Sequence, residues 1–496
     1  MLIKKDQDAL KAYFEDSSNL KGGHADNAVF AEDINALSEF IKYANKKNIP
    51  VTVSGGGTGT TAGRIPFGGT VVSMERFNNT PLLSKDTMSA RVQAGVLVED
   101  FKRACEREGL FYPCHPTEKT AFLGGTVATN ASGGRSFKYG PTRRYVKRLK
   151  MVLANGEIFD IGRGEKILTK KDSKILLNSG LEIRVPLPEY KMPAVKNSAG
   201  YFVGEGTDLV DLFIGQEGTL SIITEIGLVL ARLPSKILSS FVFFKADKDS
   251  WNFAADARGM SKEAILSGGI EALSIEYLDK NALNLLRLKN SNVPDYADAA
   301  IFFEQELTEV NEVRAVDSWL NLISKHNASA DDTWVAMTED EAEKFNKLRH
   351  SIPESVNEIV KRSGFRKLST DIAVPEDSFA EMMGFYKSVL KDSGIEHVIF
   401  GHIGECHVHV NLLPRSEAQM DISENICMEF VRKAVSLKGT VSAEHGIGKI
   451  KHKYLEIMYG RQSISDMARI KKAFDPNCIL GLDNIFSKEV LKECRI

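Results

Sequence analysis

An α+β protein of two domains is predicted by three features of this sequence. At 496 residues the chain is too long for one hydrophobic core. From about residue 30 to 230 it reads as strands and few helices, broken by many glycine turns. Pro234 then marks a change of texture, after which strands and helices alternate.

Taken in order, AEDINALSEFIKYANKKN is an amphipathic helix opened by acidic residues, and PVTVS is the strand after it. The loop SGGGTGTTAG (54–63) follows. Its segment from Gly57 through Gly59 to Ala62 fits the GxGxxG/A dinucleotide pattern, which requires a helix to begin at its end. Gly63, Pro66, Gly68, Gly69 and a strand-like TVVSM leave no room for one, so the loop is expected to join two strands. ARVQAG is a strand and VEDFKRACEREG a helix ended by glycine. VKRLKMVLANGEIFDIG is a hairpin around Asn155-Gly156. DLFIGQEGTLSIITEIGLVLARLP reads as a short helix, a glycine turn and a long strand.

Beyond Pro234, strands at SSFVFFKA, ALSIEYL and AAIFFEQEL alternate with helices at WNFAADARGMSKEAIL, NALNLLR and VNEVRAVDSWLNLISKH. This predicts an antiparallel or mixed sheet covered by helices on one face. The helices CMEFVRKAVSLKG and ISDMARIKKAF close the chain around two short polar motifs.

A net charge of -2 and no basic stripe argue against a nucleic-acid partner. The N-terminus has no apolar core of a secretory signal, and no run approaches the roughly 18 apolar residues of a membrane span. Six cysteines without a CxxC pair argue against an iron–sulfur cluster or zinc knuckle and fit a reducing cytoplasm. The expected location is cytoplasmic, with no membrane association beyond a peripheral one.

Four glycine-rich segments fall in the first half: 54–63, LGGTVATNASGG (123–134), KNSAGY (196–201) and GQEGTLSII (215–223). Four at strand–turn positions point to backbone-amide capture of an extended dinucleotide. In the second half GHIGECHVHVNLLP holds His402, His407 and His409, the latter two on one face of a strand. GTVSAEHGIGK holds Glu444 beside His445. Imidazoles with a carboxylate suit Zn²⁺, Mn²⁺ or Fe²⁺; hydrogen-bonded structural histidines are the alternative. Arg349 and Lys367 are cations beside apolar segments, and an Arg fork is the usual grip on a carboxylate.

The ordered set SGGGTGTTAG, GGTVATNASGG, YGPTRRYVKRLKMVLANGEI, IGQEGTLSIITE, GHIGECHVHVNLLP, SAEHGIGK and IKKAFDP resembles the FAD-linked oxidases of the vanillyl-alcohol oxidase type. Within these it is similar to the D-lactate/glycolate/D-2-hydroxyglutarate dehydrogenase branch, over roughly residues 25 to 490. The resemblance implies an FAD-binding domain of two α+β subdomains (1–233) and a ferredoxin-like α+β cap with a helical C-terminal part (234–465). A last segment (466–496) would return to the FAD domain. It implies pyrophosphate binding by the backbone at Gly55, Gly56, Gly57, Thr58 and Gly59 and at Gly124, Gly125 and Thr126, with Ser54 and Gly133 also among the cofactor-binding residues. The turn at Gly215, Glu217, Gly218, Thr219 and Leu220 would help seat the adenine end, and Ile222 is also among the cofactor-binding residues. Thr58 stands where some relatives bond FAD covalently through histidine, so non-covalent FAD is expected. His402, His409 and Glu444 would bind a divalent metal (Zn or Mn), His445 would be the base, and Arg349 with Lys367 would anchor a 2-hydroxy acid.

The implied reaction is oxidation of a D-2-hydroxy acid to the 2-oxo acid by hydride transfer to flavin N5. The implied electron acceptor is external: a quinone, a cytochrome or electron-transfer flavoprotein. A homodimer is left open. The alternatives are a redox-neutral enzyme like alkyl-dihydroxyacetone-phosphate synthase, or the flavin subunit of a glycolate-oxidase-like complex. The sequence departs from the usual motifs at Ser54, at His115-Pro116 beside Cys114, at Glu405-Cys406-His407 (usually within GDGN) and at LGLDN (480–484).

Overall fold

The computed structural model describes residues 1–114, 118–263 and 269–494. His115 and Pro116 lie outside them. The first sheet is built from β1 (Leu2–Lys4), β2 (Asn27–Phe30), β3 (Val51–Ser54) and β4 (Thr70–Ser73), in the order β1-β2-β4-β3. β3 pairs with β4 in parallel, and the glycine-dense loop joins them without a helix, as expected. Helix α1 (Ile34–Lys47) is capped by Asp33, whose carboxylate accepts from the N–H groups of Asn35 and Ala36. It buries Leu37, Phe40, Ile41 and Ala44, the apolar stripe of the sequence.

The second sheet orders β5 (Leu82–Ser84), β6 (Ser89–Gln93), β7 (Val146–Leu153), β8 (Ile158–Gly162) and β9 (Ser221–Val229) as β5-β6-β9-β7-β8, every pair antiparallel. At the β7–β8 hairpin only Gly156 is left-handed (φ +84); Asn155 instead accepts from the Glu157 N–H at 2.9 Å. One expectation changes here. The segment 123–134 is not a strand–turn: Leu123–Ala128 is a short helix, α2. It is pinned by the Gly124 N–H to the Ala94 carbonyl at 2.7 Å, and a Cβ on Gly124 would lie 2.6 Å from that of Ala94.

The third sheet contains β10 (Lys236–Phe244), β11 (Ala272–Asp279), β12 (Ala299–Leu307), β13 (Trp334–Ala336), β14 (Leu368–Ser369), β15 (Ile372–Ala373), β16 (His397–Gly401) and β17 (His407–Leu412). The order is β13-β10-β12-β11-β16-β17-β14, with β15 also paired to β17, and all pairs are antiparallel. Helices cover both faces, which corrects the one-face expectation. Val242 and Phe244 of β10 pack with Phe253 of α3 (Asp247–Glu263) and Trp319 of α5 (Glu312–Lys325). Phe241 and Phe243 pack with Leu283 and Leu286 of α4 (Lys280–Arg287) and Ile352 and Val356 of α6 (Glu339–Ser363). The physical reason lies in the strands: the run FVFF is continuously apolar, as strands buried on both sides must be.

Helices α7 (Glu376–Ser393), α8 (Glu417–Ser436) and α9 (His452–Phe474) follow, α9 kinked at Gly460. The chain end then packs beside β3. The Val51 N–H reaches the Ile479 carbonyl at 2.7 Å, and buried Lys471 bonds the carbonyls of Thr219 and Leu480, each at 2.7 Å.

Candidate active site

The β16–β17 connection builds the first wall. His402 follows Gly401, whose φ of +131 admits no ordinary side chain; a Cβ there would lie 3.1 Å from His409. A single 3-10 turn, Ile403–Glu405, leads to Cys406 in the left-handed region (φ +53). Arg258 of α3 fixes that turn by donating to the carbonyls of Ile403 (2.8 Å) and Gly404 (3.0 Å). His407 and His409 then share one face of β17, ring centroids 4.5 Å apart.

The loop 439–449 supplies the second wall and centres the site on Glu444. Its Oε1 lies 3.2 Å from His409 Nε2, 3.4 Å from His402 Nε2 and 3.6 Å from His445 Nε2. The opposite ring nitrogens are held in place: His402 Nδ1 meets Glu276 Oε1 at 2.7 Å, and His409 Nδ1 meets the Thr370 carbonyl at 3.0 Å. Such outer acceptors orient imidazoles as metal ligands. Glu444 Oε2 accepts from Lys196 Nζ at 2.8 Å, and the same ammonium donates to Glu405 at 2.9 Å. Burial opposes its charge, but Lys196 and His402 hold Glu444 well below the usual carboxylate range. Burial likewise opposes protonation of His402, yet Glu276 and Glu444 together raise its pKa. Two overlapping ligand sets emerge: His402, His407, His409 with Glu444, and Asp371, His409, Glu444 with His445.

Asp371, fully buried, organises the loop that carries Glu444 and His445. It accepts from Ser442 Oγ (2.7 Å), Lys451 Nζ (2.8 Å) and the backbone N–H groups of His445 (2.9 Å) and Glu444 (3.2 Å). Its Oδ2 also lies 3.4 Å from His445 Nδ1. Burial pushes His445 down to about 4 against the pull of Asp371, so the imidazole is neutral at pH 7. With its side chain 29% exposed, His445 is the most open histidine of the group.

Arg349, on α6, reaches the same site. Its Nη1 is 3.6 Å from Glu276 Oε1, its Nη2 is 2.9 Å from His350 Nε2, and its buried Nε has no partner. Lys367 is not drawn into this cluster. It lies before β14, half-buried, without ion pair or hydrogen bond among the described residues, and burial lowers its pKa. Cys406 stays outside both ligand sets, its thiol pushed up to about 12 by burial.

The glycine loops converge on this loop from the other side. A Cβ on Gly56 would sit 2.3 Å from the Thr120 carbonyl, and one on Gly448 1.9 Å from that of Thr61. The Gly215 and Glu217 N–H groups reach the carbonyls of Val127 (3.0 Å) and Ala128 (2.8 Å), and Ser198 N–H reaches Ser442 (2.8 Å). Glu217 spends both carboxylate oxygens on the N–H groups of Ile447 (2.8 Å) and Gly448 (2.6 Å). Gly57 and Gly218 are left-handed, Gly133, Ser54 and Thr126 are buried, and Thr58 and Gly55 are half-buried. Thr219 bonds Tyr201, while Leu220 and Ile222 are fully buried. Gly59 and Gly125 face open space.

Sequence reasoning missed Asp371, Glu276 and Lys196. Two carried a readable signal: Glu276 interrupts the apolar strand ALSIEYL, and Lys196 opens the KNSAGY turn. Asp371 gave none beyond a lone acid in LSTDIAVP.

Residues 25–162 match the FAD binding domain, and residues 255–482 match the C-terminal domain of FAD linked oxidases. The chain belongs to the FAD-linked oxidases. Its relatives include glycolate oxidase subunit GlcD of Bacillus subtilis, 27% identical over 94% of this chain and 90% of the relative. D-lactate dehydrogenase of Archaeoglobus fulgidus is 29% identical over 94% and 92%. D-2-hydroxyglutarate dehydrogenase of Stutzerimonas stutzeri is 26% identical over 98% and 96%. A 4-ethylphenol oxidase from Gulosibacter chungangensis shares the fold, with a TM-score of 0.71 at 15% identity over 98% of this chain and 95% of that one. An alkyldihydroxyacetonephosphate synthase does so with a TM-score of 0.65 at 16% identity, over 97% and 82%.

This FAD-linked oxidase is therefore an FAD-dependent oxidoreductase of α+β fold. Its loops fit the cofactor: Gly59 and Gly125 leave space that a side chain would fill, and Ser132 and Ser198 hold buried hydroxyls without a partner. Among the described residues no helix is long and apolar enough to cross a membrane.

Proposed function

We propose that this FAD-linked oxidase oxidises a D-2-hydroxy acid to the 2-oxo acid. The observation that carries the reading is the cluster around one Glu444 oxygen: His402, His409 and a neutral His445, with the partnerless Nε of Arg349 across Glu276. The names of the relatives support it. Arg349 grips the substrate carboxylate with its charged fork. His445 accepts the 2-hydroxyl proton, and Asp371 orients the ring and stabilises the imidazolium that results. FAD, when bound, supplies the acceptor for the hydride that leaves the substrate carbon. His402, His409 and Glu444 would hold a divalent ion, zinc or manganese, whose chemistry is Lewis-acid activation of a hydroxyl. Lys367, which lies outside this cluster, is given no part in holding the substrate.

We assign the pyrophosphate to the backbone at Gly55–Gly59 and Gly124–Thr126, the adenine end to Gly215–Leu220, and non-covalent attachment to the threonine at position 58. A quinone, cytochrome or electron-transfer flavoprotein would take up the electrons. The test is the visible spectrum of the anaerobic holoenzyme on adding D-lactate, glycolate and D-2-hydroxyglutarate in turn. Bleaching by one of them names the substrate group; a flavin bleached by none overturns the hydroxy-acid reading. His445→Ala should keep its flavin and slow the bleaching by about 10²–10⁴-fold. A variant that bleaches at the normal rate removes His445 from the mechanism.

A further inference from the structure

The side chain of His407 is fully buried, and neither ring nitrogen has a hydrogen-bond partner. A neutral imidazole carries one donor and one acceptor, so both functions are left unmet inside the protein. Asp371 Oδ1 is 3.2 Å from Nε2 but off the hydrogen-bond direction. Asp371 already accepts from Ser442, Lys451 and two backbone N–H groups. Even a realigned bond to Asp371 would satisfy one nitrogen and leave the other. That other nitrogen is not spare room for a neighbour: Glu405 is held by Lys196 and Ser136, and Cys406 lies outside the cluster.

What does surround His407 is ligand chemistry. Its ring lies 4.5 Å from His409 and 5.3 Å from His402, and one ligand atom each of His402, His407, His409 and Glu444 falls within 4.8 Å of every other. Resting on the metal reading above, we propose that His407 is itself a ligand, so that the ion is held by three imidazoles and the Glu444 carboxylate. One nitrogen then binds the ion while the other N–H turns to Asp371, the arrangement that His402 shows with Glu276. Three nitrogens and one oxygen favour zinc or cobalt over magnesium or manganese. A four-donor set still admits a fifth donor, as zinc sites do in catalysis.

The experiment strips the holoenzyme with a chelator, reloads it with zinc alone and counts imidazoles by zinc X-ray absorption fine structure. Wild type should show three; His407→Asn should show two, with its flavin spectrum unchanged. Its zinc affinity should fall by more than about 100-fold, beyond the about 10–100-fold typical of an outer partner. Two imidazoles in wild type overturn the assignment of His407 and leave His402, His409 and Glu444 standing. No zinc uptake by wild type overturns the metal site as a whole. The wild-type count needs no variant, so it decides the question even if His407→Asn does not fold.

Discussion

Arg349 is held by the protein without being used up by it. One guanidinium nitrogen faces Glu276, another His350, and the Nε remains free within a buried setting. Arg349→Ala should therefore cost kcat/KM about 10–100-fold, the range of one charged hydrogen bond, chiefly through KM. Arg349→Lys should not restore it, since an ammonium offers no planar fork. Steady-state kinetics with the acid that bleaches the flavin would show this; an unchanged KM in both variants would remove Arg349 from substrate binding. Cys406 adds a lesson at the same scale. It occupies the left-handed position of a turn that favours glycine, so its occurrence in place of the motif glycine is a conformational fact before a chemical one.

Among elements, the glycine loops separate into two kinds. Gly56 and Gly448 are required by other backbone, at 2.3 and 1.9 Å from a would-be Cβ, whereas Gly59 and Gly125 face nothing. Gly59→Ala and Gly125→Ala should leave the thermal unfolding of the flavin-free protein unchanged and weaken FAD binding. Normal FAD affinity in both, measured by titration of the apoprotein, would remove these loops from the pyrophosphate site. A second element carries a pH dependence. Asp279 caps α4 by accepting from the Ala282 N–H at 2.8 Å, and burial raises its pKa to about 7, with Lys387 pulling the other way. The folded chain thus binds this proton more tightly than the unfolded chain, and stability falls as pH rises from about 4 to about 7. Asp279→Asn keeps the cap and removes that fall, so the variant should gain on wild type between pH 5 and pH 8, by ~3 kcal/mol at most. Equal Tm differences at the two pH values would refute the assignment.

Across the whole molecule, the glycine-rich half and the eight-stranded sheet meet through charge as well as packing. Arg135 forms a two-pronged pair with Glu304 of β12 (2.8 and 2.9 Å), both largely buried. Burial opposes ionisation of Glu304, but Arg135 holds it down at about 2. Removing one partner leaves a buried charge unpaired, so Arg135→Met should destabilise the protein by about 3–5 kcal/mol. Adding Glu304→Leu should recover most of that loss, and a double-mutant cycle by denaturant unfolding measures the coupling. A second substitution that adds its own loss would show that the pair does not join the two halves.

Most elements and the chemistry-bearing motifs were legible in the residue order, because both are local. The apolar stripe of α1, the hairpin at Gly156, the strand register that puts His407 beside His409, and a glycine loop too short for a helix are set by neighbours a few residues apart. Tertiary structure alone decided what those motifs face. Helices on both sides of the third sheet, Asp371 beneath His445, Lys196 between Glu405 and Glu444, and Glu276 behind His402 join residues about 70 to 250 positions apart. No periodicity spans such distances; packing and the pairing of buried charge bring these groups together.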